Sequence, residues 1–272
     1  MSLTADSPPL AAVSIGNLDT ADDITYAVPG MGTTTEGMGD WVRTAQNIAT
    51  LQDQVDSGRQ HAVVAWVGYE TPPVPVAQGG FDVLGTELAE KGGRALAADL
   101  SALDIIRPSA EVNVVAHSYG TTTASIALSQ GEAQVDSFVT LGSAGLPPEV
   151  DQAGKLKAEH VFAGQAQDVW AVDPAGGDQW AWTGRASWAH PVNPIDPSFG
   201  AHTFSVAGEG TQLPVTDHGV STAAGTGYLD LRTESLRNVA LATTGQGDQV
   251  SSYVAPGPTP FQRAIIEGLT SG

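Results

Sequence analysis

Residues 114–120 read Val-Val-Ala-His-Ser-Tyr-Gly. A strand-like run, Glu111 to Ala116, enters Ser118 and passes at once into a helix-like run, Thr121 to Gln130, with Gly131 placed as a stop. A chain that reverses through a single residue this way bends so tightly that the serine is forced into a strained backbone conformation. Small residues two positions away on either side, Ala116 and Gly120, let strand and helix approach; Ala116 stands where glycine is commoner in such turns. The bend lifts the Ser118 hydroxyl clear of the sheet and leaves the Tyr119 N–H at a helix N-terminus, where it can stabilise a negative oxygen.

Outward from this turn the chain alternates strand and helix. Asp23 to Val28 predicts a buried strand stopping at Pro29-Gly30-Met31-Gly32, followed by a helix over about Gly39 to Gln54. His61 to Val67 predicts a second strand, and the stiff Pro72-Pro73-Val74-Pro75 stretch a loop. Leu84 to Leu103 has helical spacing, weakened and split by Gly92-Gly93. Further strands are expected at Val135 to Leu141, His160 to Ala163 and Thr203 to Val206, and a closing helix at Tyr228 to Thr243. This alternation predicts an α/β fold with a mostly parallel central sheet, helices on both faces and ligands at the carboxyl ends of the strands. The domain is expected over residues 21–272, after an extension or linker over 1–20. An irregular excursion over about 165–198 carries Trp170, Trp180, Trp182 and Trp188, as a cap or as glue onto the core.

A serine at neutral pH needs a base, most often a histidine. Of the six histidines, His218 follows the last strand and precedes the closing helix, where the order Ser, acid, His delivers the base; His202 is the alternative. The base in turn needs an orienting carboxylate. Asp168 follows the His160 to Ala163 strand closely and is the first choice, with Asp173 and Asp178 deeper in the excursion ranked behind it. The second oxyanion donor is expected from the Gly30-Met31-Gly32-Thr33 turn, Met31 N–H first and Gly32 next.

Composition narrows the function classes. The net charge of −19 and the presence of only three lysines, Lys91, Lys155 and Lys157, argue against a nucleic-acid partner. No cysteine is present, so disulfides, a thiolate nucleophile and Cys-ligated zinc are excluded. With 41% hydrophobic residues and no apolar run long enough to span a bilayer, no transmembrane segment is expected. Met1 to Leu10 lacks a basic start and apolar centre, so no signal peptide is read in this chain and the cytoplasm is the default compartment unless an upstream segment has been removed. Oligomeric state is not legible.

The ordered set PGMGT, HSYGT, LGSAGLP, the Asp168 loop, and Asp217-His218 followed by Tyr228 and Ser235-Leu236-Arg237-Asn238 resembles an actinobacterial α/β-hydrolase family of largely uncharacterised proteins, over about Ala21 to Gly245. The resemblance implies an α/β-hydrolase fold, a Ser118, Asp168, His218 triad and hydrolysis of a small-molecule acyl substrate without cofactor or metal. It implies no particular substrate. The rival expectation is a non-catalytic ligand-binding or sensing module on the same fold.

Overall fold

Three strands with near-continuous apolar sequence form the centre of the sheet, because only a strand covered on both faces tolerates such a run. In the computed structural model, which describes residues 1–4, 8–74 and 81–270, these are β3 (Asp23–Val28), β4 (His61–Val67) and β5 (Glu111–His117). With β1 (Ser2–Leu3), β2 (Ala11–Ile15), β6 (Val135–Leu141), β7 (Ala158–Gly164) and β8 (His202–Phe204) they build one sheet in the order β1-β2-β4-β3-β5-β6-β7-β8. From β4 to β8 neighbouring strands are parallel, while β1 and β2 join antiparallel at one edge. The fold class read from the sequence therefore stands.

Strand alternation sorts the core into two layers. Ile24, Val28, Val64, Trp66 and Val114 point to one face, covered by α2 (Glu87–Ile106) and α3 (Tyr119–Gln130) through Leu96, Leu100, Ile126 and Leu128. Ala27, Val63, Ala65, Val115 and Val139 point to the other, covered by α1 (Met38–Val55) and α5 (Glu234–Ala242) through Trp41, Ile48, Leu236 and Val239. A short α4 (Ala181–Arg185) lies in the Trp-rich excursion, and α6 (Pro260–Thr270) follows the sheet.

Four expectations change. Gly92 and Gly93 do not split the second helix, which is continuous: a Cβ at Gly92 would lie 2.7 Å from the Tyr69 ring and one at Gly93 2.7 Å from Ile126 Cγ2, so the pair lets α2 lie close on α3. Residues 2–3 and 11–15, expected as part of an extension, pair into the sheet, Val13 opposite Ala65. The closing helix begins at Glu234 rather than Tyr228, capped by the Thr233 hydroxyl accepting from Leu236 N–H. The last strand is His202–Phe204 rather than Thr203 to Val206. Pro75 of the predicted proline loop and the last two residues of the predicted domain lie outside the described residues. Among the described residues, no helix is long and apolar enough to cross a membrane.

Candidate active site

The Val28 to Ala116 pairing sets the end of β3 beside the end of β5, so the two turns that follow them face each other. Ser118 occupies its turn at φ 55°, ψ −128°, a region costly for any residue with a Cβ and held by the surrounding structure. Its N–H donates to the Leu141 carbonyl (3.0 Å), and its own carbonyl accepts from Thr121 and Ala144 N–H (3.0 and 3.3 Å). A Cβ at Gly120 would lie 2.5 Å from the Pro29 carbonyl oxygen, and one at Gly30 would lie 2.6 Å from Ser118 Cβ. The two turns thus meet backbone to backbone, which is why small residues are required at both.

His218 reaches Ser118 from a loop after β8. The Ser118 hydroxyl lies 2.9 Å from His218 Nε2, and Nδ1 lies 2.8 and 2.9 Å from Asp178 Oδ1 and Oδ2. With the carboxylate accepting, Nδ1 carries the proton and Nε2 is free to accept from the serine. An imidazole so placed can take the serine proton as the hydroxyl attacks a carbonyl.

Asp178 is fully buried, and its Oδ1 also accepts from Trp180 N–H (3.0 Å) and Ala181 N–H (2.8 Å) while Oδ2 accepts from the Tyr228 hydroxyl (2.9 Å). Burial alone would raise its pKa, but His218 and these hydrogen bonds together hold it down at about 2. The carboxylate therefore stays charged inside the protein.

Asp168, the acid expected from the sequence, does not face His218. Arg185 Nη2 donates to its Oδ2 (2.6 Å) and Gln165 Nε2 to its Oδ1 (2.9 Å). The excursion doubles back here. Asp178 N–H donates to the Gln167 carbonyl (2.7 Å) and Val169 N–H to the Asp178 carbonyl (3.0 Å), with Gly176 and Gly177 at positive φ making the return. This brings residue 178 alongside residue 168 and passes the inward position to Asp178. The sequence signal was the Gly-Gly pair directly before an aspartate that lies three residues ahead of α4 and accepts from that helix's first N–H. Asp173, the other alternative, accepts instead from the Thr259 hydroxyl.

Met31 lines the same cavity as Ser118, whereas the Gly32 N–H donates to the Pro72 carbonyl (2.8 Å). Tyr119 opens α3 directly after the serine. His202, the alternative base, packs its ring on Phe162 at 5.5 Å, away from this cluster.

His117 was assigned no role by sequence reading. Its ring is buried 4.7 Å from that of His218, and its Nε2–H donates to the His218 carbonyl (2.7 Å). Burial, and then the neighbouring His218, push its pKa down to about 3, so it braces the loop as a neutral ring.

The cavity holds about 340 Å³. Met31, Trp41, Val74, Trp180 and Val220 supply apolar wall, and Asp217 is its one carboxylate among the described lining residues. Of the four tryptophans in the excursion, only Trp180 reaches it; Trp170 packs edge-on against Phe261 and Trp188 is exposed.

An alpha/beta hydrolase family model matches residues 6–176, and the chain belongs to that family. The matched stretch contains Ser118 and stops short of Asp178 and His218. The chain is 28% identical, across 96% of its length, to an uncharacterised protein of Mycobacterium tuberculosis (strain CDC 1551 / Oshkosh), of which it covers 41%. It is 30% identical over 169 residues, 56% of this chain and 59% of the relative, to an uncharacterised protein of Mycobacterium bovis. The chain thus spans less than two thirds of the length of these relatives. Among solved structures it is similar to an esterase, PE8, with 12% identity and a TM-score of 0.48, covering 85% of this chain and 96% of that one.

Proposed function

We propose that this hydrolase-family domain is a serine hydrolase that cleaves an ester or related acyl bond of a small molecule through an acyl-enzyme, with Ser118 as nucleophile, His218 as base and Asp178 as the orienting acid. The observation that carries this reading is the unbroken line from the Ser118 hydroxyl to His218 Nε2 (2.9 Å) and from Nδ1 to Asp178 (2.8 Å), set on a strained turn. His218 takes the hydroxyl proton as the oxygen attacks the carbonyl carbon, and the buried carboxylate stabilises the imidazolium that forms. The Tyr119 and Met31 amides are assigned to the tetrahedral oxyanion. His218 then hands the proton to the departing alcohol, and water deacylates the serine by the same route.

Turnover of p-nitrophenyl acetate and butyrate tests the assignment. Ser118→Ala should lower kcat/KM by at least about a thousandfold and abolish labelling by a fluorophosphonate, because members of such a unit fail together. Wild-type labelling without turnover of any ester would point to the ligand-binding reading. Undiminished turnover by the Ser118→Ala variant would move the chemistry elsewhere.

A further inference from the structure

Tyr228 lies beside the Ser118 line, against Asp178 and His117, and takes no part in the proposed chemistry. It is fully buried. Its hydroxyl accepts from Ala166 N–H (2.8 Å) and donates to Asp178 Oδ2 (2.9 Å). A phenol has a single proton, and with the Ala166 amide occupying the acceptor side that proton is aimed at the carboxylate.

The main chain of the same residue holds the base. Tyr228 N–H donates to the carbonyl of Gly219, the residue after His218 (3.0 Å), and Leu229 N–H donates to the Val220 carbonyl (2.8 Å). A Cβ at the neighbouring Gly227 would lie 2.6 Å from that Gly219 oxygen, so the two segments are in close backbone contact. Space around the pair is equally tight. A Cβ at Gly142, at φ 49° just beyond β6, would lie 2.8 Å from Asp178 Oδ2 and 2.9 Å from the Tyr228 ring. One residue therefore grips the acid with its side chain and the base-bearing loop with its backbone.

We propose that Tyr228 is a positioning residue whose hydroxyl sets the distance and the orientation of Asp178 against His218, acting on the reaction through that carboxylate without touching substrate. This rests on the Ser118 reading above. The charged or titratable groups around the pair are His218 from its loop, His117 from the end of β5, and Asp168 with its partner Arg185 from the excursion. Removing the phenol proton donor leaves Oδ2 with His218 alone, so more of the carboxylate charge falls on the imidazolium while its plane is less firmly held.

The test is Tyr228→Phe, which keeps the ring and both backbone bonds. With p-nitrophenyl butyrate, kcat should fall roughly tenfold to a hundredfold with KM within about twofold. The acid limb of the kcat/KM profile should move to higher pH, and the downfield proton resonance of His218 Nδ1–H should shift. Val239→Ala, a void in the same buried layer, should lower Tm without moving limb or resonance. Gly142→Ala, whose methyl would press on Oδ2, should reproduce the resonance shift and serves if the phenylalanine variant does not fold.

A limb and a resonance unchanged in Tyr228→Phe, or a rate loss matched by Val239→Ala at equal Tm, would overturn the proposal while leaving the Ser118 reading intact. Should the wild-type protein hydrolyse no ester, the Ser118 reading falls, and the resonance still decides whether Tyr228 governs the acid–base pair.

Discussion

Asp168 and Asp178 sit side by side on the doubled-back excursion, yet their surroundings give them different work. Asp168 is neutralised by Arg185 at 2.6 Å, whereas Asp178 has only hydrogen-bond donors and His218 around it. Asp178→Asn should therefore lower kcat by about a thousandfold or more, since an amide in that position favours the wrong imidazole tautomer. Asp168→Asn should stay within about tenfold of wild type. Losses of equal size in the two variants, measured on one ester, would contradict this division.

His117 carries a second consequence at the same scale. Its native pKa of about 3 lies below the ordinary histidine value of about 6.5. Between those values the unfolded chain binds a proton that the native state excludes, so stability is whole above about pH 6.5 and declines as pH falls towards 3. The full window is worth on the order of 5 kcal/mol. Asp178, held at about 2, remains charged through most of it. Urea midpoints at pH 7, 5 and 4 should fall steeply for wild type and more gently for His117→Gln; parallel declines would remove His117 as the cause.

At the scale of elements, the glycines of α1 and α2 separate local propensity from packing. Gly39 is exposed in the first turn of α1 with open space around its absent Cβ, so Gly39→Ala should raise stability by up to about 1 kcal/mol. Gly93 faces Ile126 and the Ala127 backbone, and Gly93→Ala should cost about 1–3 kcal/mol through overpacking. Thermal unfolding of both variants checks the opposite signs. Read from sequence, Gly92-Gly93 is a helix weakener; only the presence of α3 turns the pair into a contact. Edge elements were equally opaque. Ala11–Ile15 is a short run that opens on two alanines, a residue depleted in strands, and it becomes a strand by pairing antiparallel with β4.

Across the whole molecule, the parallel sheet, its two covered faces, the serine turn and the late histidine loop were legible, because each is encoded in contiguous residues: apolar runs for buried strands, small residues flanking Ser118, a loop between the last strand and the closing helix. The acid was not. Its choice between Asp168 and Asp178 depends on how a long irregular segment folds back on itself, and that path is set by distant partners such as Arg185 and Tyr228 rather than by any local period. Sequence by itself determined the scaffold and the strained serine turn, since those follow from short-range sterics and hydrophobic alternation. Tertiary structure alone decided which carboxylate meets the imidazole, because burial and hydrogen bonding between residues far apart in the chain exist only once the chain has closed around them.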